Sequence, residues 1–119
     1  MVFTTVGKSG TVLAIGSFSS NRPQYMAIGT GSAAESVDNV ALQTETDRKA
    51  FASVAVDTIN NEITYTANWN SVAISETSLT EFGIFTPASA GSLWDREGFG
   101  AISFDGTNEL QIELVLRHV

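Results

Sequence analysis

The chain has 119 residues, 43% hydrophobic and 16% charged, the size and make-up of one packed domain rather than of a disordered segment. Thirteen acids against six bases leave a net charge of −7, and only Arg48–Lys49 sets two bases together, so the sequence offers no phosphate-tracking surface for nucleic acid. There is no cysteine and one histidine, His118, which excludes disulfides, thiolate or multi-imidazole metal sites and cysteine nucleophiles, and no stretch approaches the roughly 18 apolar residues of a membrane span.

Strands are expected first at Val2–Val6 and Thr11–Phe18, which are rich in Thr, Val, Ile and Phe, with the turn-forming Lys8-Ser9-Gly10 between them. The apolar run Val12–Ile15 is too short for a signal-peptide core and has only Lys8 before it, so no signal peptide is expected. Residues 1–20 read as an N-terminal arm or a first hairpin, and 21–119 as the main domain. After the loop Ser19–Pro23, a short strand Tyr25–Ile28 stops at Gly29-Thr30-Gly31. Ser32–Asn39 reads as a surface loop, with room for one helical turn at Ser36–Val40.

Strands are next expected at Val40–Glu45 and Arg48–Thr58, the second with Val54 and Val56 on a buried face. Asn60-Asn61 suits a hairpin turn, because Asn tolerates positive φ. Glu62–Asn70 gives the cleanest alternation: Ile63, Tyr65, Ala67 and Trp69 on one face, Glu62, Thr64, Thr66 and Asn68 on the other. Val72–Leu79 reads as a strand or as a loop carrying Ile74 inward. Thr80–Thr86 and Ser92–Trp94 form a hairpin around Pro87, Ser89 and Gly91. A strand at Ala101–Phe104 is closed by the hairpin-type turn Asp105-Gly106, and the last strand is Glu109–Val119. About eight to ten short strands at this spacing predict an all-β, single-domain antiparallel β-sandwich.

No catalytic constellation emerges. Ile28-Gly29-Thr30-Gly31-Ser32 has a faint look of a phosphate loop, but it lacks the Lys-Ser/Thr ending and reads as a tight glycine turn. Glu76, Glu81, Asp95 and Glu97 have no fixed gap of the kind glycoside hydrolysis needs. Asp105–Glu109 lacks the full calcium-loop pattern, and His118 has no nucleophile elbow to serve. No cofactor is called for. A small hydrolase is therefore disfavoured.

Two sets of residues remain. Tyr25, Trp69 and Trp94 are candidates for core, subunit-interface or ligand contacts, with Tyr65 beside them. Glu45, Arg48, Glu81 and Arg96 each adjoin apolar strand residues and are candidates for a buried ion-pair network that fixes strand register. Glu81 and Arg96 flank the two arms of one hairpin and could face each other if those arms pair; the sequence does not decide between that pairing and solvated charges.

Four segments in order carry a resemblance: Tyr25–Gly31 (YMAIGTG), Ala41–Arg48 (ALQTETDR), Thr80–Phe85 (TEFGIF) and Leu93–Phe99 (LWDREGF), followed by an apolar closing strand. Together they resemble small β-rich virion proteins of tailed bacteriophages and related viruses, over residues 25–118. The resemblance implies a jelly-roll-like sandwich that assembles as a homo-oligomer on the virus particle. The address would be the capsid surface, as a decoration or cement protein, or the tail or neck. Expected partners are other copies and the major capsid or tail proteins, with no nucleic acid and no membrane. The alternative is a module of a tail fibre that binds a carbohydrate or host receptor, with a host-surface glycan as ligand.

Overall fold

The computed structural model describes residues 2–7, 22–75, 77–86 and 92–117. Within them lie eight strands: β1 (Val2–Phe3), β2 (Tyr25–Gly29), β3 (Glu45–Ala50), β4 (Ser53–Asp57), β5 (Glu62–Trp69), β6 (Ser78–Phe85), β7 (Leu93–Ser103) and β8 (Leu110–Arg117). They form an antiparallel β-sandwich of a five-stranded sheet, β1-β7-β6-β2-β3, and a three-stranded sheet, β4-β5-β8.

The side-chain period explains the layers. Along β5 the expected alternation places Tyr65, Ala67 and Trp69 in the core, and β8 adds Leu114 beside them. β2 is apolar on both faces, and β6 is so at its end, from Phe82 to Phe85. Met26, Ile28, Phe82 and Ile84 point at the facing sheet. Ala27 and Phe85 point the other way and pack with Leu93 and Leu42 in a second, smaller core. The five-stranded sheet is thus covered twice, by the other sheet and by the β2–β3 loop that carries Leu42. A strand buried on both faces needs such a continuous apolar run.

Several expectations are corrected. Val40–Thr44 is loop, and β3 begins at Glu45. The segment 36–39 makes a turn, with Asn39 N–H donating to Ser36 O at 3.0 Å, and no helix. Arg48–Thr58 is not one strand. The chain changes sheets at Phe51–Ala52, where Phe51 N–H donates to Gln24 O and Ala52 N–H to Thr66 O. Val54 and Val56 are 51% and 68% exposed, because β4 is an edge strand whose inner face opens into a groove instead of closing on a sheet. β7 runs unbroken through both segments expected at 92–94 and 101–104.

Asp105-Gly106 does turn, with Gly106 at φ 94°, but it does not join paired strands. β7 lies in the five-stranded sheet and β8 pairs with β5, so the turn is a crossover between sheets. Asn61 adopts φ 56° in the β4–β5 turn, as Asn permits.

The first described residues join the five-stranded sheet, and most of the segment expected as an arm or first hairpin lies outside the described residues. Val2 and Phe3 pair with Arg96 and Asp95. Thr4 is fully buried and caps a helical turn, its Oγ1 accepting from Gly7 N–H at 2.9 Å. The expected strand Thr11–Phe18, the turn residues Pro87, Ser89 and Gly91, and His118 lie outside the described residues.

Candidate functional site

β6 and β7 pair so that Glu81 stands opposite Gly98, and Arg96 opposite Gly83. Both charged side chains rise from the face that bears Ala27 and Phe85. They are 0% and 1% exposed. Arg96 Nε donates to Glu81 Oε1 at 3.0 Å. The pair does not sit between the two sheets; it sits beneath the β2–β3 loop.

That loop is folded around the pair. Glu81 accepts from the backbone N–H groups of Gly31 (2.8 Å), Gln43 (2.9 Å) and Thr44 (2.8 Å). Arg96 donates to Ala33 O (3.0 Å), Ala34 O (3.3 Å) and Asn39 Oδ1 (3.2 Å). The loop is stitched again by Thr80 Oγ1 to Gly31 O and by Gly98 N–H to Glu35 Oε1. These side chains satisfy backbone donors and acceptors that the loop turns inward, the condition for burying an irregular segment.

Gly29 and Gly31 make room for the Glu81 carboxylate, and Gly83 for the backbone of β7. A Cβ at Gly29 would come within 2.8 Å of Glu81 Oε2, and a Cβ at Gly83 within 2.7 Å of Asp95 O. A Cβ at Gly31 would collide with the same Glu81 oxygen. The Gly-Thr-Gly turn therefore does hold an anion with its backbone, but the anion is the chain's own Glu81. Burial alone pushes this carboxyl up; the N–H groups of Thr44, Gln43 and Gly31 and the Arg96 guanidinium outweigh it and hold it below the ordinary carboxylate range.

Glu45 and Arg48 lie on the same sheet but form their own pair. Arg48 Nε and Nη2 donate to the two Glu45 oxygens at 2.9 and 2.6 Å. The Arg48 guanidinium lies 3.7 Å over the Phe85 ring and roofs the smaller core. The four charged candidates thus make two pairs, each acid on its own base.

The aromatic candidates divide. Trp69 is 1% exposed and bridges the sheets, its Nε1 donating to Asp47 Oδ2 at 3.0 Å. Trp94 is buried beside Phe3, ring centroids 6.0 Å apart, and among the described residues its Nε1 has no hydrogen-bond partner. Tyr65 is buried against Phe51 at 4.7 Å. Tyr25 is half-buried on the smaller core. Neither tryptophan stands at a loop surface.

Of the carboxylates that looked available for chemistry, Glu81 is committed to the loop. Asp95 is buried, and among the described residues no side chain donates to its carboxylate; burial outweighs the Arg96 backbone N–H and pushes its pKa up to about 7. Sequence reasoning gave no sign of this, since Asp95 sits in a charged run, Asp95-Arg96-Glu97. Among the described residues no group of His, Asp or Glu is arranged to hold a metal.

Two of the open grooves are walled mainly by apolar side chains. On one side of the sandwich a groove of about 350 Å³ is walled by Leu79, Phe82, Phe99, Ile102, Phe104 and Ile112. On the other side a groove of about 520 Å³ runs along Phe51, Val54, Val56, Ile63 and Tyr65. Sequence reasoning missed both, because the alternation that marks a core face also marks a groove wall. The chain matches no family model and no curated protein.

Proposed function

We propose that the chain is a non-enzymatic structural protein of a virus particle, working as a homo-oligomer on the capsid surface or in the tail or neck. The observation that carries the reading is the open apolar flank of the sandwich, where Val54, Val56 and the groove beside them face solvent in the single chain. Exposed apolar surface of this kind marks a place for another protein. The locked β2–β3 loop supports it: a loop tied down by a buried ion pair gives a rigid face rather than a mobile one. The virion address comes from the four sequence segments that resemble small phage virion proteins. The rival, a glycan-binding module, needs an aromatic platform, and Trp69 and Trp94 are inside the protein.

The test is quantitative mass spectrometry of purified, salt-washed particles of the virus that encodes the chain. The expected result is many copies per particle, in fixed ratio to the major capsid or tail protein. Loss of the chain from washed particles contradicts the proposal.

A further inference from the structure

The edges of the two sheets are not alike. β3 carries Glu45, Asp47, Arg48 and Lys49, a charged edge that resists pairing. β1 is two residues long. β8 bears Glu113 and Arg117. β4 reads Ser-Val-Ala-Val-Asp, with no proline, no lysine and no charge before its last residue. Ser53 to Val56 are exposed, on both faces of the strand. Among the described residues β4 has a neighbour, β5, on one side only.

We infer that the open edge of β4 pairs antiparallel with β4 of a second copy, about a two-fold axis at Ala55. The inference rests on the proposal that the chain acts as a homo-oligomer, and it names the surface. In this register Ala55 meets the partner's Ala55, and Val54 meets the partner's Val56. Ser53 meets the partner's Asp57, a hydroxyl donor against a carboxylate. Charge favours this edge over the others. Two copies of net charge −7 repel, and here no acid opposes an acid; the one carboxylate per strand is already held by Ile59 N–H, Asn60 N–H and Asn60 Nδ2. The valines, 51% and 68% exposed in the single chain, gain cross-strand neighbours. Ile59, 90% exposed at the turn, comes level with the partner's Phe51 at the mouth of the groove. The two three-stranded sheets become one continuous sheet through both copies, the usual form of β-augmentation.

The chain has no cysteine, so an Ala55→Cys variant carries one thiol. Under copper-phenanthroline oxidation it is expected to give a disulfide-linked dimer, while Val115→Cys on the β8 edge stays monomeric. By light scattering over a concentration series the wild type is expected to dimerise. Val56→Lys enters the interface twice and is expected to weaken dimerisation about tenfold. A wild type that self-associates while Ala55→Cys fails to cross-link and Val56→Lys has no effect overturns the β4 interface and leaves the homo-oligomer reading standing. A wild type that is monomeric at every concentration overturns both.

Discussion

Glu81 and Arg96 meet on the diagonal between β6 and β7, not directly across it; a glycine stands opposite each. That offset leaves the carboxylate free to collect three backbone N–H groups and the guanidinium free to collect two backbone carbonyls, all from one loop. A buried pair contributes little net stability after its desolvation cost. Its effect here is to fix where residues 31–44 lie.

Glu81→Ala strands a buried guanidinium and three buried N–H groups. Chemical denaturation is expected to show a loss of about 3–5 kcal/mol, and amide hydrogen exchange to show Gly31, Gln43 and Thr44 losing protection first. A loss below about 1 kcal/mol, with protection retained, contradicts the role given to the pair.

Gly83→Ala is expected to cost about 1–3 kcal/mol, since its Cβ would press on Asp95 O at 2.7 Å and on Leu93 Cδ1 at 2.8 Å. Gly100→Ala is the control: nothing lies within 4 Å of its Cβ, and removing a strand glycine is neutral or slightly stabilising. Equal effects at the two sites would refute the packing argument.

Two carboxyls set opposite pH slopes. The folded pKa of Asp95, raised by burial to about 7, lies above its unfolded value of about 3.9. The folded chain therefore keeps a proton that the unfolded chain releases, and stability falls as pH rises from about 4 to about 7, by on the order of 4 kcal/mol at the top. Glu81 is depressed in the fold, so its contribution is present above its unfolded value of about 4.3 and is lost as pH falls below it. Thermal melts are expected to peak on the acid side of neutrality, near about pH 5. Asp95→Asn is expected to flatten the alkaline limb and to exceed the wild type above pH 7. A wild-type melting temperature that climbs steadily to pH 8 contradicts this.

Trp69 and Trp94 are both buried, so the intrinsic fluorescence should be blue-shifted and poorly quenched by acrylamide. Asp47→Ala leaves Trp69 Nε1 without its acceptor and is expected to cost about 1–3 kcal/mol. Strong acrylamide quenching of the folded protein would place a tryptophan at the surface and contradict the packing.

The strands that alternate or run apolar, β2, β5, β6 and β8, were legible because period and composition report burial directly. The sequence offers Glu81 and Arg96 as candidates to face each other across one hairpin, but solvated positions are open to them as well, and the sequence does not decide the contact. Their remaining partners were not legible, since most are backbone groups of residues 31–44, which any side chains would supply. The Gly29-Thr30-Gly31 segment reads as a tight glycine turn, and nothing local to it shows that Gly31 N–H holds a carboxylate fifty residues on. The change of sheet at Phe51–Ala52 carries no Gly or Pro to mark it. An edge strand alternates like a central one, so nothing in Ser53–Asp57 showed that Val54 and Val56 would stand open.

The most direct test of the central proposal is immunogold electron microscopy of intact particles with antibody to this chain. Regular label over heads or along tails is the predicted result, and its position gives the address on the particle. Particles that bind no gold anywhere, under conditions that label the major capsid protein, contradict the virion assignment.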